Sequence, residues 1–169
     1  TPHALLTGQY LLKQITGYKL PRKLKIAFSN SGKDDGCATC NDLGFLADVE
    51  DGRPCYRLFL AGGLGANPAA GIPYGRPVAP EDVLYHVEAM TRLFMAEGDY
   101  ENKGKARIRY IPRRMGTEAF LACYEEHLAR MKAEKELIGL PAALTPETAG
   151  EPELPVSDRL IPQKQAGLY

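Results

Sequence analysis

No excess of charge of either sign is present in this sequence. Lys plus Arg number 21 and Asp plus Glu number 21, so the formal net charge is +0. Binding of duplex nucleic acid or a membrane surface through a general basic field is therefore not expected, and any anion site must be local. No apolar run approaches the roughly 20 residues of a membrane span, and the start lacks the charged-then-apolar order of a signal peptide. We expect a cytoplasmic protein with one compact domain.

Complete motifs for metal, nucleotide and hydrolase sites are also missing. Cys37 and Cys40 have the C-x2-C spacing of zinc and iron–sulfur sites, but no second pair completes a four-thiolate set. Two free thiols are the simpler interpretation, and a non-catalytic metal or redox-switch module built on this pair is an open alternative. The G-x-G-x-x-G dinucleotide pattern and the G-x-S-x-G hydrolase pattern do not occur.

Hydrophobic periodicity predicts an α+β fold, with a mixed β-sheet of about five strands flanked by helices. Apolar residues alternate with polar ones in the first and last expected strands, whereas residues 58–60 are apolar without alternation, as in a strand buried on both faces. Apolar residues recur at helical spacing in two longer segments. The predicted strands include residues 24–28, a hairpin formed by 43–49 and 56–61, and residues 107–111. The predicted helices cover residues 81–97 and 117–137. The Gly- and Pro-rich residues 71–79 are expected to form an irregular surface loop.

Composition divides the chain into three parts. Residues 1–19 are interpreted as an N-terminal arm, and residues 20–139 as the compact unit. Residues 140–169 are rich in Pro, Glu, Thr and Ala with little periodicity, which is typical of a linker. His86 and His127 fall on the two predicted helices without a partner ligand at i+4, so packing or surface roles are expected for both.

Lys23 and Lys25 form the first candidate site. Residues two apart on a strand point to the same face, so these two ammonium groups would project together as an anion clamp. Leu24 and Ile26 would anchor the opposite face. Spacing alone is more typical of a solvated strand face, or of a sheet edge protected by lysines.

A glycine loop, Gly62-Gly63-Leu64-Gly65, follows a predicted buried strand and forms the second candidate site. Missing side chains let a backbone approach a ligand closely, and its N–H groups can point at phosphate or carboxylate oxygens. A plain turn fits equally well, and a phosphate-ligand binding domain is a further alternative. Arg107 and Arg109 form another basic cluster with Lys103 and Lys105, for which a solvated face is the usual interpretation.

The order of these parts resembles the sirohaem-dependent nitrite and sulfite reductase family. The similarity covers about residues 20–131, the first of two pseudo-symmetric haem-binding halves, and residues 161–169 resemble the start of the ferredoxin-like module that follows. The segments that show it are L-P-R-K-L-K-I at 20–26, N-D-L-G-F at 41–45, L-A-G-G-L-G at 60–65, K-A-R at 105–107 and G-T-E-A-F at 116–120. The chain is thus expected to be an internal piece of a longer enzyme.

The resemblance implies six-electron reduction of nitrite to ammonia or of sulfite to sulfide, with sirohaem and a 4Fe-4S cluster as cofactors. It implies that Lys23 and Lys25 bind the substrate anion, that Arg22 lies near the haem carboxylates, and that Gly62 and Gly63 approach the macrocycle. The family holds its cluster with a C-x5-C and C-x3-C set, which is absent here, so no metal ligand is predicted. The implied partners are the rest of the parent chain and a ferredoxin or flavoprotein donor. The chain alone is expected to be inactive.

Overall fold

The computed structural model describes residues 2–139, and the linker predicted over residues 140–169 lies outside this part. Within the described part, the helices are α1 (Pro2–Gln14), α2 (Val83–Glu97), α3 (Tyr110–Met115) and α4 (Thr117–Glu134). The strands are β1 (Ile26–Ser29), β2 (Leu43–Glu50), β3 (Arg53–Leu60) and β4 (Ile72–Val78). None of the described helices is long and apolar enough to cross a membrane.

The strands form one mixed sheet in the order β1-β2-β3-β4. β1 runs parallel to β2, whereas β2 with β3 and β3 with β4 are antiparallel pairs. Buried side chains of β2 and β3 share one apolar core with those of α2, α3 and α4. This arrangement confirms the predicted α+β class, although the sheet in residues 2–139 has four strands where about five were expected.

The predicted hairpin is formed by β2 and β3. Their ladder runs from Leu43 opposite Leu60 to Glu50 opposite Arg53. Asp51 (φ 50°) and Gly52 (φ 73°) both adopt positive φ in the connecting turn. A turn with two consecutive residues of positive φ matches the twist of the flanking strands. This explains why an Asp-Gly pair connects β2 to β3.

The prediction that residues 71–79 form an irregular loop is wrong, because β4 occupies most of them. Pro73 and Pro77 lack N–H donors, but within residues 2–139 β4 lies at the edge of the sheet and pairs with β3 alone. Gly75 adopts φ 84°, and the register between the two strands shifts opposite this part of β4. Gly and Pro are typical of loops, but an irregular edge strand also tolerates them. Composition alone therefore did not distinguish a loop from an edge strand here.

The strand predicted over residues 107–111 is also wrong. Turns lead from residue 103 into α3, which begins at Tyr110. Ile108 and Ile111 are both buried, three residues apart as on one side of a helix. Pro112 lies in the first turn of α3, where a missing N–H leaves no helical hydrogen bond unmade.

The predicted N-terminal arm contains α1, a helix of 13 residues. Gly8 lies in its middle, and a glycine there lowers helix propensity by about 1 kcal/mol relative to alanine. Tertiary contacts compensate, because α1 packs against β1 and α2 and the Tyr10 hydroxyl donates to buried Glu88 over 3.1 Å. Such contacts are not visible in a local sequence pattern.

The two long helices follow their predictions closely. α2 begins at Val83 after a 3-10 turn at Pro80–Asp82, and α4 ends at Glu134, three residues before the predicted end. His86 on α2 is buried, and its Nδ1 lies 2.7 Å from the Tyr124 hydroxyl on α4. It therefore has the packing role that the sequence predicted.

Burial lowers the pKa of His86 to about 4 from its usual 6.5, while Asp82, Glu125, Lys132 and Arg76 act on it by opposing charge effects. Above pH 6.5 the imidazole is neutral in both states, and between pH 6.5 and 4 only the unfolded chain gains the proton. We expect the free energy of unfolding to fall by about 3 kcal/mol across that window. Urea titrations at several pH values measure this slope.

The matched variant for this test is His86→Gln, which should flatten most of the slope. His127 adds a smaller part, since its pKa is also lowered by partial burial. Glu88 and Asp34, whose pKa values are lowered, affect stability mainly below pH 4.5. An unchanged slope in His86→Gln would show that another group titrates in this window.

Gly44 and Gly8 offer a matched pair for testing the packing around β2. A Cβ at Gly44 would lie 1.8 Å from the backbone oxygen of Ala38, whereas a Cβ at Gly8 has no atom within 4 Å. Because backbone cannot move aside as a side chain does, Gly44→Ala should lower the free energy of unfolding by about 3 kcal/mol. Gly8→Ala should raise it by about 0.5–1 kcal/mol. Denaturant unfolding of both variants checks the pair, and equal effects would contradict the packing described here.

Candidate anion site

Asp42 is the centre of the candidate site, immediately before β2. Its carboxylate is fully buried, and Oδ2 accepts hydrogen bonds from the Lys25 backbone N–H at 2.8 Å and from Arg107 Nη2 at 2.5 Å. Its backbone oxygen accepts the Ala61 N–H at 2.8 Å. One residue therefore joins the lysine segment, the glycine loop and the turn before α3, which are far apart in sequence.

Lys23 and Lys25 lie in the extended segment that leads into β1. The strand itself begins at Ile26, one residue after the predicted lysine pair. The carbonyl of Lys25 still accepts the Leu43 N–H at 3.2 Å, so pairing with β2 extends back to this residue. Both lysines are exposed while Leu24 between them is half-buried, which agrees with the predicted alternation.

Arg22 links this segment to the second basic cluster. Its Nη1 donates to the backbone carbonyl of Lys103, which lies in the turns before α3. The guanidinium is exposed at this position. The contact brings the Arg22 guanidinium beside Lys103, the first residue of the second basic cluster.

Arg109 occupies the space that the glycine loop leaves open. The residue is 7% exposed, and a Cβ at Gly63 would lie 2.8 Å from its Nη1, while one at Gly65 would lie 3.3 Å from its Nη2. Its guanidinium carbon also lies 5.1 Å from the centre of the Tyr110 ring. The glycines at 63 and 65 are thus required for the close approach of a buried cation.

Gly63 uses both of its backbone groups within the glycine loop. Gly63 N–H donates to Ala69 at 2.9 Å, and Ala69 N–H donates back to Gly63 at 2.9 Å. Gly62 packs against Asn41, since a Cβ there would lie 2.8 Å from the Asn41 oxygen. The N–H of Gly63 therefore does not point at a ligand. The missing side chains matter instead because they leave space for the Arg109 guanidinium.

Several buried polar atoms of the site have no hydrogen-bond partner in the described part of the chain. They are Asp42 Oδ1, Arg107 Nε, Arg109 Nε and Arg109 Nη1. A buried guanidinium nitrogen without a partner is costly, so native proteins usually satisfy it with a ligand, water or another chain segment. Donors of this type match carboxylate oxygens. The three unpaired guanidinium nitrogens therefore suit carboxylate groups of a ligand, whereas Asp42 Oδ1 requires a donor.

The sequence interpretation of Arg107 and Arg109 as a solvated strand face is wrong. The side chain of Arg107 is 11% exposed and that of Arg109 is also buried. Asp42, which holds Arg107, was given no role from sequence, although it belongs to the N-D-L-G-F segment. A carboxylate directly before an apolar strand is a weak signal, and its partner 65 residues away is visible only in three dimensions.

The thiols of Cys37 and Cys40 are free, and so are those of Cys55 and Cys123. Among residues 2–139, no group of three His, Cys, Asp or Glu side chains is placed to hold a metal ion. The metal module considered as an alternative therefore has no ligand set in this region. A redox switch formed by the thiols of Cys37 and Cys40 needs no metal ligands, so that alternative stays open.

Replacing Arg109 by Met should leave the free energy of unfolding unchanged or raise it by up to about 2 kcal/mol. The reason is that the variant removes a buried charge with two unpaired nitrogens while keeping an apolar stem of similar length. Denaturant unfolding of the isolated chain measures the difference. A decrease of several kcal/mol in the free energy of unfolding would mean that Arg109 stabilises the fold. Its unpaired nitrogens would then not indicate a ligand site.

The chain is similar to known reductases in sequence and in structure. A family model described as "Nitrite and sulphite reductase 4Fe-4S domain" matches residues 2–132. The sulfite reductase (NADPH) hemoprotein beta-component of Acidithiobacillus ferrooxidans is 35% identical over 109 residues, which are 60% of this chain and 19% of that protein. The ferredoxin–nitrite reductase of Leptolyngbya laminosa is 28% identical over 110 residues, which are 64% of this chain and 22% of that protein.

The NirA protein of Mycobacterium tuberculosis is similar in three dimensions, with a TM-score of 0.57 and 30% sequence identity over 73% of this chain and 22% of that chain. The chain thus spans about a fifth of the length of the curated relatives it matches. The family model covers all four strands, α1, α2 and α3, and α4 except its last two residues. This chain belongs to the nitrite and sulphite reductase 4Fe-4S domain family.

Proposed function

We propose that this chain supplies one part of the cofactor and anion site of a reductase that converts nitrite to ammonia or sulfite to sulfide with six electrons. The supporting observation is that four distant segments meet around Asp42, with unpaired nitrogens on two buried arginines. Family membership supports the reaction class, because the curated relatives are named as sulfite and nitrite reductases.

A sirohaem is proposed as the group that these arginines meet. Its ring carries several carboxylates, and the unpaired nitrogens of Arg107 and Arg109 are suitable donors for them. Arg22 is proposed as a further carboxylate contact on the exposed side. Gly62 and Gly63 are proposed to lie near the macrocycle, with Gly63 leaving room for the Arg109 guanidinium that would contact it. When bound, sirohaem and a 4Fe-4S cluster would carry electrons from the external donor to the anion.

Lys23 and Lys25 are proposed to bind the substrate anion. Each ammonium group offers three donors and a full positive charge, which attract the anion oxygens and stabilise negative charge that develops during reduction. The same groups can deliver the protons with which oxygen atoms leave as water. The Lys25 backbone N–H donates to the buried Asp42 carboxylate. This hydrogen bond fixes the backbone from which the Lys25 side chain extends.

The cluster ligands are proposed to lie in other segments of a longer protein. The C-x5-C and C-x3-C spacings do not occur in this chain. Residues 20–139 are proposed as the haem-binding half domain together with α1, and residues 140–169 as the connection to a ferredoxin-like module. The chain alone is proposed to be inactive.

The electron donor is proposed to be a ferredoxin or a flavoprotein in the cytoplasm. Ferredoxin appears in the name of the L. laminosa relative, and NADPH in that of the A. ferrooxidans relative. Exposed basic residues around the site would favour an acidic donor surface.

The test is to purify the longer protein that contains this chain and to measure anaerobic turnover of nitrite and of sulfite with a reduced donor dye. We expect a sirohaem visible spectrum and release of ammonia or sulfide, and neither from the isolated chain. In the same protein, Arg109→Met should retain less sirohaem after gel filtration. A protein that carries both cofactors and reduces neither anion would refute the proposed reaction.

A further inference from the structure

The segment around Cys37 and Cys40 forms a hydrogen-bonded turn beside the candidate site. Cys40 N–H donates to the Cys37 carbonyl at 3.1 Å, and the 3-10 turn continues over Ala38–Cys40. Cys37 is exposed and Cys40 is half-buried, and both thiols are free. The proposed reductase function uses neither of them.

The geometry of this turn suits a disulfide. In a hydrogen-bonded turn the first and fourth Cα atoms lie less than about 7 Å apart, and disulfides span about 4.4–6.8 Å between Cα atoms. Cys37 has φ 52° and ψ 39°, a left-handed conformation that is uncommon outside glycine. The Asp34 carboxylate holds the turn through the N–H groups of Ala38 at 2.6 Å and Thr39 at 3.0 Å. The two cysteines are thus kept near each other before any bond forms.

We propose that Cys37 and Cys40 form a reversible dithiol–disulfide couple that exchanges with small disulfides. One Cys thiolate attacks the S–S bond of the small disulfide, forms a mixed disulfide and releases one thiolate. The second Cys thiolate then attacks the protein sulfur of that mixed disulfide, so that the Cys37–Cys40 bond forms and a second thiolate leaves. Two protein thiols are oxidised by two electrons and lose two protons, and the small disulfide is reduced to two thiols.

The couple is connected to the glycine loop by short contacts. The Thr39 carbonyl, between the two cysteines, accepts the Gly71 N–H at 2.7 Å. Asn41 follows Cys40 directly, packs against Gly62 and donates from its side chain to the Cys37 carbonyl at 2.7 Å. Closing the disulfide restricts this turn, so hydrogen exchange at the Gly71 N–H is expected to slow at least about threefold.

The proposal is tested by equilibrating the full chain in buffers of reduced and oxidised glutathione, trapping free thiols with a maleimide, and measuring intact mass and peptides. We expect one two-electron transition that links Cys37 to Cys40. Cys37→Ser and Cys40→Ser should each abolish it, whereas Cys55→Ser with Cys123→Ser should leave it unchanged. Separate glutathione adducts on Cys37 and Cys40, or a bond to Cys55 or Cys123, would overturn the proposal.

Asp34→Ala tests whether the folded turn sets the equilibrium. With the fold verified by circular dichroism, the equilibrium constant for disulfide formation should fall about tenfold, which corresponds to about 30 mV for a two-electron couple. An unchanged constant, or an unchanged exchange rate at Gly71 on oxidation, would contradict a couple built into this turn. None of these readouts depends on reductase activity, so they fail or succeed independently of the proposed function.

Discussion

Replacing Asp42 by Ala is expected to lower the free energy of unfolding by about 3–5 kcal/mol, because removing one partner of a buried ion pair leaves the other charge uncompensated. Asp42 is 0% exposed and the side chain of its partner Arg107 is 11% exposed. The substitution also leaves the Lys25 N–H without its acceptor. Urea unfolding of the isolated chain at neutral pH measures the loss.

Asp48→Ala is the matched control for Asp42→Ala. Asp48 pairs with Arg57 Nε at 2.8 Å, but both side chains are about half-exposed. Water screens such a pair, so the control should change stability by less than about 1 kcal/mol. Similar losses in the two variants would show that Asp42 is no more important than a surface ion pair.

Lys23→Met combined with Lys25→Met is expected to lower kcat/KM of the longer enzyme for its anion by about 100-fold or more, since removing one donor to a developing anion commonly has an effect of this size. Met keeps an unbranched stem and removes the charge. Both side chains are exposed, so the fold should be retained. Steady-state turnover with nitrite and with sulfite, at equal sirohaem content, gives the ratio.

The control for the lysine pair is Lys13→Met combined with Lys33→Met. It removes the same net charge from two exposed positions, at the end of α1 and in the loop after β1. We expect kcat/KM within about threefold of the unaltered enzyme, with the remaining effect reduced by salt. An equal loss in both double variants would indicate a general charge effect and no specific role for Lys23 and Lys25.

Local patterns were sufficient for the elements whose residues face one environment throughout. The hairpin of β2 and β3 follows from two apolar segments and from the turn at Gly52, and α2 follows from its apolar stripe. In both cases apolar residues of the segment lie in the core. These elements form the centre of the core.

Elements that are stabilised by tertiary contacts could not be predicted from local sequence patterns. α1 contains Gly8 and is held by contacts with β1 and α2, and β4 tolerates Pro73 and Pro77 because it lies at an edge. Residues 107–111 alternate in sequence, yet Ile108 and Ile111 are buried as on a helix. In each case tertiary contacts outweighed the local preference.

The candidate site also combines residues that a local pattern indicates with residues whose roles depend on tertiary contacts. Lys23 and Lys25 share a local spacing, and the family resemblance suggested a role for them that spacing did not. The roles of Asp42 and Arg109 could not be predicted from sequence, because they come from burial and from contacts with residues 61–65 and 107. Burial of a charged residue is a property of the packed fold, so no local pattern predicts it.

The most direct test of the proposed site is a crystal structure of the longer protein with sirohaem and its anion bound. We expect Nζ of Lys23 and Nζ of Lys25 to lie within about 2.7–3.2 Å of anion oxygens, and Arg109 to contact a haem carboxylate. A structure in which both lysines face bulk solvent, away from the anion, would contradict it.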